Sequence, residues 1–260
     1  MSKLKNVLSK ILNWSVQSEE RRNFYQKQTR NLEWYYIKHE IKRGKFLDVG
    51  CGKGYTTYKA YKDLACESYG VDPDNNLVGV VFDKEIDYSK ITLVKGYAEN
   101  CPFGDDVFDT IFCSHVIEHV ENISKVLKEM KRITKPDGKI IIGVPSNYMA
   151  FINLISAYLF TTHIKLLGWF FYKRWNIKRP SLKQIFIPLS HSHEGKSVFF
   201  DLWYYSDKNW TRLLEQELNI DQRIHPALYP YPDFIQFFPI THLRFVSSTV
   251  FYVCSQPKRE

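Results

Sequence analysis

The chain has 260 residues, 44% of them hydrophobic and 25% charged. That length supports one large domain, or one domain with a sizeable insert, and the composition excludes disorder, a collagen-like repeat and a multi-span membrane protein. The formal charge of +8 is uneven, with residues 1–43 at +6, 44–137 at −4, 138–193 at +7 and 194–260 at −1. Two basic segments therefore flank a slightly acidic middle, a field that attracts anionic partners without choosing among them. Five cysteines, Cys51, Cys66, Cys101, Cys113 and Cys254, form neither a CxxC pair nor a small-domain disulfide framework, which points to a reducing, cytoplasmic setting. The opening MSKLKNVLSKILNW places lysines among its apolar residues and lacks the continuous apolar run of a secretory signal.

Leu4, Val7, Leu8, Ile11 and Leu12 at helical spacing predict a short basic amphipathic helix, and a second helix is expected from about Glu19 to Lys42. Lys45 to Val49 reads as a short apolar strand containing Asp48, followed at once by Gly50-Cys51-Gly52-Lys53-Gly54 and a helix from Tyr55 to Leu64. Ser68 to Val71 is a second strand, ending in Asp72, and Ile91 to Val94, Thr110 to Cys113 and Lys139 to Val144 are further runs of strand length. Between the last two, Val120, Ile123, Val126, Leu127, Met130 and Ile133 mark one face of a helix that Lys135-Pro136-Asp137-Gly138 stops. After Pro145 the pattern breaks into an aromatic, basic stretch as far as about Tyr205. A helix through Trp210, Leu213, Leu214 and Leu218 and a closing strand from Val246 to Val253 then resume it. Alternating strands and helices predict an α/β fold with a mainly parallel sheet. The chain divides into N-terminal helices (1–43), a core (44–145), an apolar and basic insert (146–206) and the C-terminal part of the sheet domain (207–260).

Three glycines at alternate positions between a strand and a helix let a ligand approach the backbone and aim helix N-terminal N–H groups at a negative group. A P-loop is excluded because no GxxxxGK[ST] occurs, and Tyr55 stands where a dinucleotide GxGxxG needs its third glycine. FLDVGCGKG, with Asp72 placed 22 residues beyond Gly50, resembles the class I S-adenosylmethionine-dependent methyltransferases. GYAENCPFGDDVFDTIFCSHVIEHVENISKVLKEMKRITKPDGKIIIGVP is similar to the subgroup that includes quinone-biosynthesis and many small-molecule methyltransferases. The resemblance covers roughly residues 44–146 and implies a Rossmann-like, doubly wound, seven-stranded sheet with S-adenosyl-L-methionine as cofactor. It implies that Asp48, Gly50, Cys51, Gly52 and Gly54 surround the methionyl end, that Asp72 holds the ribose, and that Ala98 and Glu99 lie beside the adenine, with Ser114 also lining the site. Tyr97 stands where the family commonly has an Asp before that Ala.

Transfer to an oxygen acceptor usually requires a base. Ser114-His115-Val116-Ile117-Glu118-His119 follows the fourth strand, and on a helix His115 and His119 share a face with Glu118 beside them. Either histidine as general base, a divalent-metal site from His115, Glu118 and His119, and a purely structural helix opening all fit that pattern. His191 and His193 in the insert are a second pair, for acceptor binding or a solvated loop. The absence of an Asn/Asp-Pro-Pro-Tyr/Phe motif after the fourth strand, and of a Pro-Cys pair, makes nucleic-acid bases poor acceptors. Cys113 reads as a buried small apolar residue.

From Tyr148 to Tyr172 the insert is apolar nearly all round for its first half, but Asn153, Ser156, Thr161, Thr162, His163 and Lys165 interrupt it, and a central Lys costs about 2.5–3.5 kcal/mol on insertion scales. A helical lid and an interfacial helix, with Trp169, Tyr172 and Trp175 at headgroup depth and Lys173, Arg174, Lys178, Arg179 and Lys183 on an anionic surface, both fit. The resulting expectation is a methyltransferase acting on a hydroxyl of a hydrophobic or lipid-linked small molecule or glycan, cytoplasmic or peripheral at a membrane. A catalytically idle cofactor-binding partner protein, a methyltransferase acting on protein or RNA, and a dehydrogenase are the alternatives.

Overall fold

The computed structural model describes residues 19–74, 85–156, 158, 162–175, 182, 185, 196–229, 240–242 and 246–257. The expected helix over residues 4–12, and His191 and His193, lie outside the described residues. In chain order the elements are α1 (Glu19–Ile37), β1 (Lys45–Val49), α2 (Tyr55–Leu64), β2 (Glu67–Asp72), β3 (Thr92–Lys95), β4 (Phe108–Ser114), α3 (Ile123–Ile133), β5 (Thr134–Pro145), α4 (Asn147–Ser156), α5 (Thr162–Trp175), α6 (Val198–Tyr204), α7 (Asp207–Leu214), β6 (Asn219–Ile224) and β7 (Thr249–Ser255).

The seven strands form one sheet in the order β3-β2-β1-β4-β5-β7-β6. β1 to β5 run parallel, and β7 pairs antiparallel with both β5 and β6. The chain steps outward from β1 to β3 and then returns to place β4 on the other side of β1, so the order reverses between β1 and β4. A crevice opens at the carboxyl ends of strands where such a reversal occurs, and ligands of open α/β sheets bind there.

Central strands are buried on both faces and therefore read as continuous apolar runs. Trp34, Ile37 and Ile41 from α1 and just beyond it, with Ala60 of α2, pack on one face against Phe46, Phe112, Ile141 and Phe251. On that face Phe112 stacks between Phe46 and Phe251, at ring separations of 6.3 and 6.0 Å. Val126, Leu127, Met130 and Ile133 of α3 join Trp210 and Leu214 of α7 on the other face. β6 and α6 are elements that the residue pattern does not disclose. β6, NIDQRI, is a polar edge strand with no fully buried residue, so it carries no apolar run to read. α6 falls inside the expected insert, yet Val198 and Asp201 are buried, and Tyr204 packs edge-on against Trp210 of α7.

Candidate functional site

The glycine loop leaves the carboxyl end of β1 at the reversal. Gly50 and Cys51 both donate their N–H groups to the Val71 carbonyl of β2, at 2.8 and 3.2 Å, which splices the loop to the neighbouring strand. Gly50 and Gly54 have φ of 71° and 80°, and a Cβ on Gly50 would lie 2.2 Å from a methyl of Val116, so no other residue fits there without movement. The Cys51 side chain faces Gly70 of β2, where a Cβ would lie 2.7 Å from its Sγ. Burial pushes the Cys51 thiol far above its ordinary range, so this cysteine lines the loop through its backbone and is no nucleophile.

Two acids flank the loop. Asp72 ends β2, and its carboxylate accepts the Gly52 N–H at 3.0 Å on one oxygen and the Asp74 N–H at 3.0 Å on the other. Each oxygen keeps a lone pair for a further donor, which suits a pair of vicinal hydroxyls. Asp48 is buried within β1 and accepts the Thr57 hydroxyl at 2.9 Å. Burial outweighs that bond and raises its pKa to about 7. Arg30 is the cation near enough to Asp48 to favour its ionised form, and burial outweighs it. These features fit S-adenosylmethionine, which brings two ribose hydroxyls and a cationic methionyl end. Gly96 N–H donates to the Asp72 carbonyl at 3.1 Å, and this contact sets the turn carrying buried Ala98 and half-buried Glu99 at the same edge.

The histidine motif departs from its expected geometry. His115 and His119 do not share a helical face, because His115 sits alone in the left-handed region at φ 57° and Ile117–His119 is a single 3₁₀ turn. A non-glycine residue at such an angle is held there by its surroundings. His115 Nδ1 lies 3.3 Å from Glu118 Oε1, and Nε2 lies 3.0 Å from Thr249 Oγ1 and 3.6 Å from Glu33 Oε1. Glu33 also accepts Tyr229 OH at 2.5 Å, the Thr249 hydroxyl at 2.9 Å and Arg30 Nη1 at 2.8 Å. With the Thr249 proton given to Glu33, its oxygen accepts from His115, so the ring has a proton on Nε2 and a carboxylate facing Nδ1.

Burial works against the imidazolium, but Glu118 and Glu33 outweigh it and raise the His115 pKa to about 9. Burial likewise opposes ionisation of Glu33, yet Arg30 and His115 hold it far below the usual carboxylate range. Glu118 is buried, and neither of its oxygens receives a well-aligned hydrogen bond. His119 is the exposed member, its side chain 44% accessible and its Nε2 4.0 Å from Glu118 Oε1. Ser114 Oγ accepts from Arg30 Nη1 at 3.2 Å. Among the described residues no group of three His, Cys, Asp or Glu side chains is arranged to hold a metal ion.

Arg30, Glu33, Tyr229 and Thr249 escape a reading of the sequence, since they come from α1, a loop and the start of β7. Glu33 offered the one signal available, an acid three residues from Arg30 in a helix whose neighbours Trp34 and Ile37 face the core.

Strand order, reversal point and glycine loop together define the Rossmann-like methyltransferase fold. A solved S-adenosylmethionine-dependent methyltransferase from Thermotoga maritima superposes with a TM-score of 0.57 over 92% of this chain and 94% of that one, at 18% identity. The Methyltransferase domain family matches residues 47–142, so this stretch is a class I methyltransferase domain, whose cofactor is S-adenosylmethionine. Similar curated proteins include the uncharacterized methyltransferase YcgJ of Bacillus subtilis, 33% identical over 38% of this chain and 39% of that protein. The demethylmenaquinone methyltransferase of Bacillus licheniformis is 37% identical over 36% of this chain and 42% of its own length. The chain thus spans about two-fifths of these two relatives.

Proposed function

We propose that the protein transfers a methyl group from S-adenosylmethionine to a hydroxyl of a hydrophobic or lipid-linked small molecule, of glycan or quinone type, and works at the cytoplasmic side of a membrane. The observation that carries the reading is the pair Asp48 and Asp72 on either side of a positive-φ glycine loop at the sheet's reversal point. When bound, the cofactor supplies a methyl group on a sulfonium for in-line displacement, for which orientation provides much of the rate. Asp72 holds the hydroxyls, Asp48 and the side-chain-free face of the glycine loop border the methionyl end, and Ala98 and Glu99 border the adenine.

His115, protonated and locked between two carboxylates, is a poor proton acceptor near neutral pH and serves to orient Glu118 and the turn. His119 stands at the accessible side of that turn and is the base for the acceptor hydroxyl. A general base contributes about 10²- to 10⁴-fold, so His119→Ala lowers turnover by that order while cofactor affinity stays within twofold. Equal losses in His115→Ala and His119→Ala, with both proteins folded, would remove the assignment.

The apolar character of the acceptor is supported by α4, an uncharged helix that starts two residues after β5 ends at the reacting edge. Two relatives are demethylmenaquinone methyltransferases, which supports the quinone-type option. The test is incubation with labelled methyl donor and a whole-cell extract, partitioned into lipid, glycan, protein and RNA. Label in lipid or glycan is expected. Label confined to protein or RNA reassigns the acceptor, and cofactor binding without label in any fraction marks an idle cofactor-binding module.

A further inference from the structure

Among the described residues twelve large hydrophobic side chains are exposed, and eight of them fall between Tyr148 and Trp203. On α4, Met149 and Ala150 enter the core while Tyr148 and Phe151, three residues apart, are 42% and 54% exposed. On α6, which packs against α4, Val198 and Asp201 are buried while Phe199 and Trp203, four residues apart, are 52% and 62% exposed. Residues three or four apart share a helical face, so two contacting helices each turn an aromatic pair outward. A lid that merely closed on the sheet domain would bury these rings.

The stretch that carries them is basic. α4 contains no charged residue, Asp201 of α6 is buried, and from Lys165 to Lys196 the sequence has seven Lys/Arg against one acid, Glu194. Lys173 and Lys196 are exposed, and Lys196 Nζ lies 5.6 Å over the Phe200 ring. A second copy of this chain would bring like charges together on such a face. Nucleic acid would meet an uncharged α4 that offers nothing to phosphate. An acyl boundary beneath anionic headgroups takes both the aromatic pairs and the cations.

We propose that α4 and α6 form a docking face for an anionic lipid bilayer. No described helix is long and apolar enough to cross a membrane, so the contact is interfacial. The face adjoins the carboxyl edge of β5, and under the proposed function it brings the methyl-donor site to a lipid-borne acceptor.

The experiment is sedimentation of the full chain with vesicles of phosphatidylcholine alone or mixed with phosphatidylglycerol. Binding is expected only with the anionic lipid, falling with salt without vanishing, because apolar insertion is not screened. Each aromatic ring lost from the interface lowers partition roughly tenfold or more, so Phe151→Ser, Phe199→Ser and Trp203→Ser combined should abolish the salt-resistant part. Lys173→Glu with Lys196→Glu should remove much of the salt-sensitive part, roughly fivefold per charge. Brominated-lipid quenching of the wild-type tryptophan fluorescence, reduced in Trp203→Phe, reads the same contact in a variant with an intact fold. The proposal is overturned if the protein stays in the supernatant at low salt, if neutral and anionic vesicles bind alike, or if Trp203 is not quenched. Self-association or RNA capture through the same residues, without vesicle binding, overturns it too. Calorimetry of cofactor binding without vesicles tests the methyltransferase reading separately, so either can fail alone.

Discussion

The glycine-loop site and the helices α4 and α6 use apolar surface in opposite ways. Around the glycine loop and His115, polar atoms other than the Glu118 oxygens have partners over long chain separations, as with Gly52 and Asp72, or Glu33 and Thr249, and the surrounding strands are buried. Around α4 and α6 the aromatic side chains outnumber what the core takes up, and the remainder faces outward in a stretch whose sequence is mostly basic. A site made by backbone angles and buried charges fails abruptly when one atom is altered. A face made by composition weakens in increments as rings and charges are removed.

The largest effect should follow loss of the Glu33 charge. Glu33→Gln leaves half-buried Arg30 and His115 beside an amide that cannot balance them, and since breaking a fully buried pair costs about 3–5 kcal/mol, a loss of about 2–4 kcal/mol is expected. Urea unfolding measures it, and a loss below about 1 kcal/mol would mean that water screens the cluster.

Stability should also fall with pH in two steps, both of the same sign. Asp48 has a native pKa of about 7 against 3.8 in the unfolded chain, so its contribution is complete below about pH 4 and is lost as pH rises through 7. His115 has a native pKa of about 9 against 6.5, so its contribution is complete below about pH 6.5 and is lost as pH rises through 9. Each is on the order of 3–4 kcal/mol. Thermal unfolding should lose the lower step in Asp48→Asn and the upper one in His115→Gln, and an unchanged profile in either variant contradicts the assigned environment. Cationic cofactor favours ionised Asp48, so saturating cofactor should flatten the lower step.

Gly50→Ala places a Cβ at φ 71° against Val116, at about 1–2 kcal/mol for the backbone before any clash is counted. Cofactor affinity should drop at least tenfold, and normal affinity would show that the loop can move as a unit. Asp72→Ala removes charge-assisted hydrogen bonds worth about 1.5–3 kcal/mol, roughly 10- to 100-fold in affinity. Calorimetry with unchanged binding would detach Asp72 from the ribose. At the other extreme, Phe151→Ser or Phe199→Ser alone should change stability by no more than about 0.5 kcal/mol and leave cofactor affinity as it was. A larger loss would place these rings in the packed body.

The local pattern carried the sheet domain well. Tyr55–Leu64 is the helix that follows the glycine loop, and the apolar runs at β1, β2, β4 and β5 are parallel strands, because strands inside the sheet are covered on both faces, while β3, at the sheet edge, was legible from its short apolar run alone. The glycine loop and its two acids were legible for a related reason, since positive φ and close approach restrict the residue choice at each position. β6 was silent because an edge strand satisfies its hydrogen bonds on β7 and leaves its side chains in water, where polar residues are as good as apolar ones.

The histidine motif shows what lay beyond local reading. Spacing alone allowed a helical His115/His119 face, whereas the structure puts His115 at a left-handed turn, its N–H bonded to the Gly143 carbonyl of β5 and its ring held by Glu33 and Thr249. Those partners are 82 and 134 residues away in the chain, and no periodicity connects them. Sequence by itself determined the fold class, the glycine loop and the bias in charge, because each is set by short-range backbone and burial constraints. Only the tertiary structure decided which histidine is charged and locked, which is accessible, and which aromatic rings remain outside the core. Those properties depend on dielectric, charge and packing contributed by segments that meet only when the chain folds.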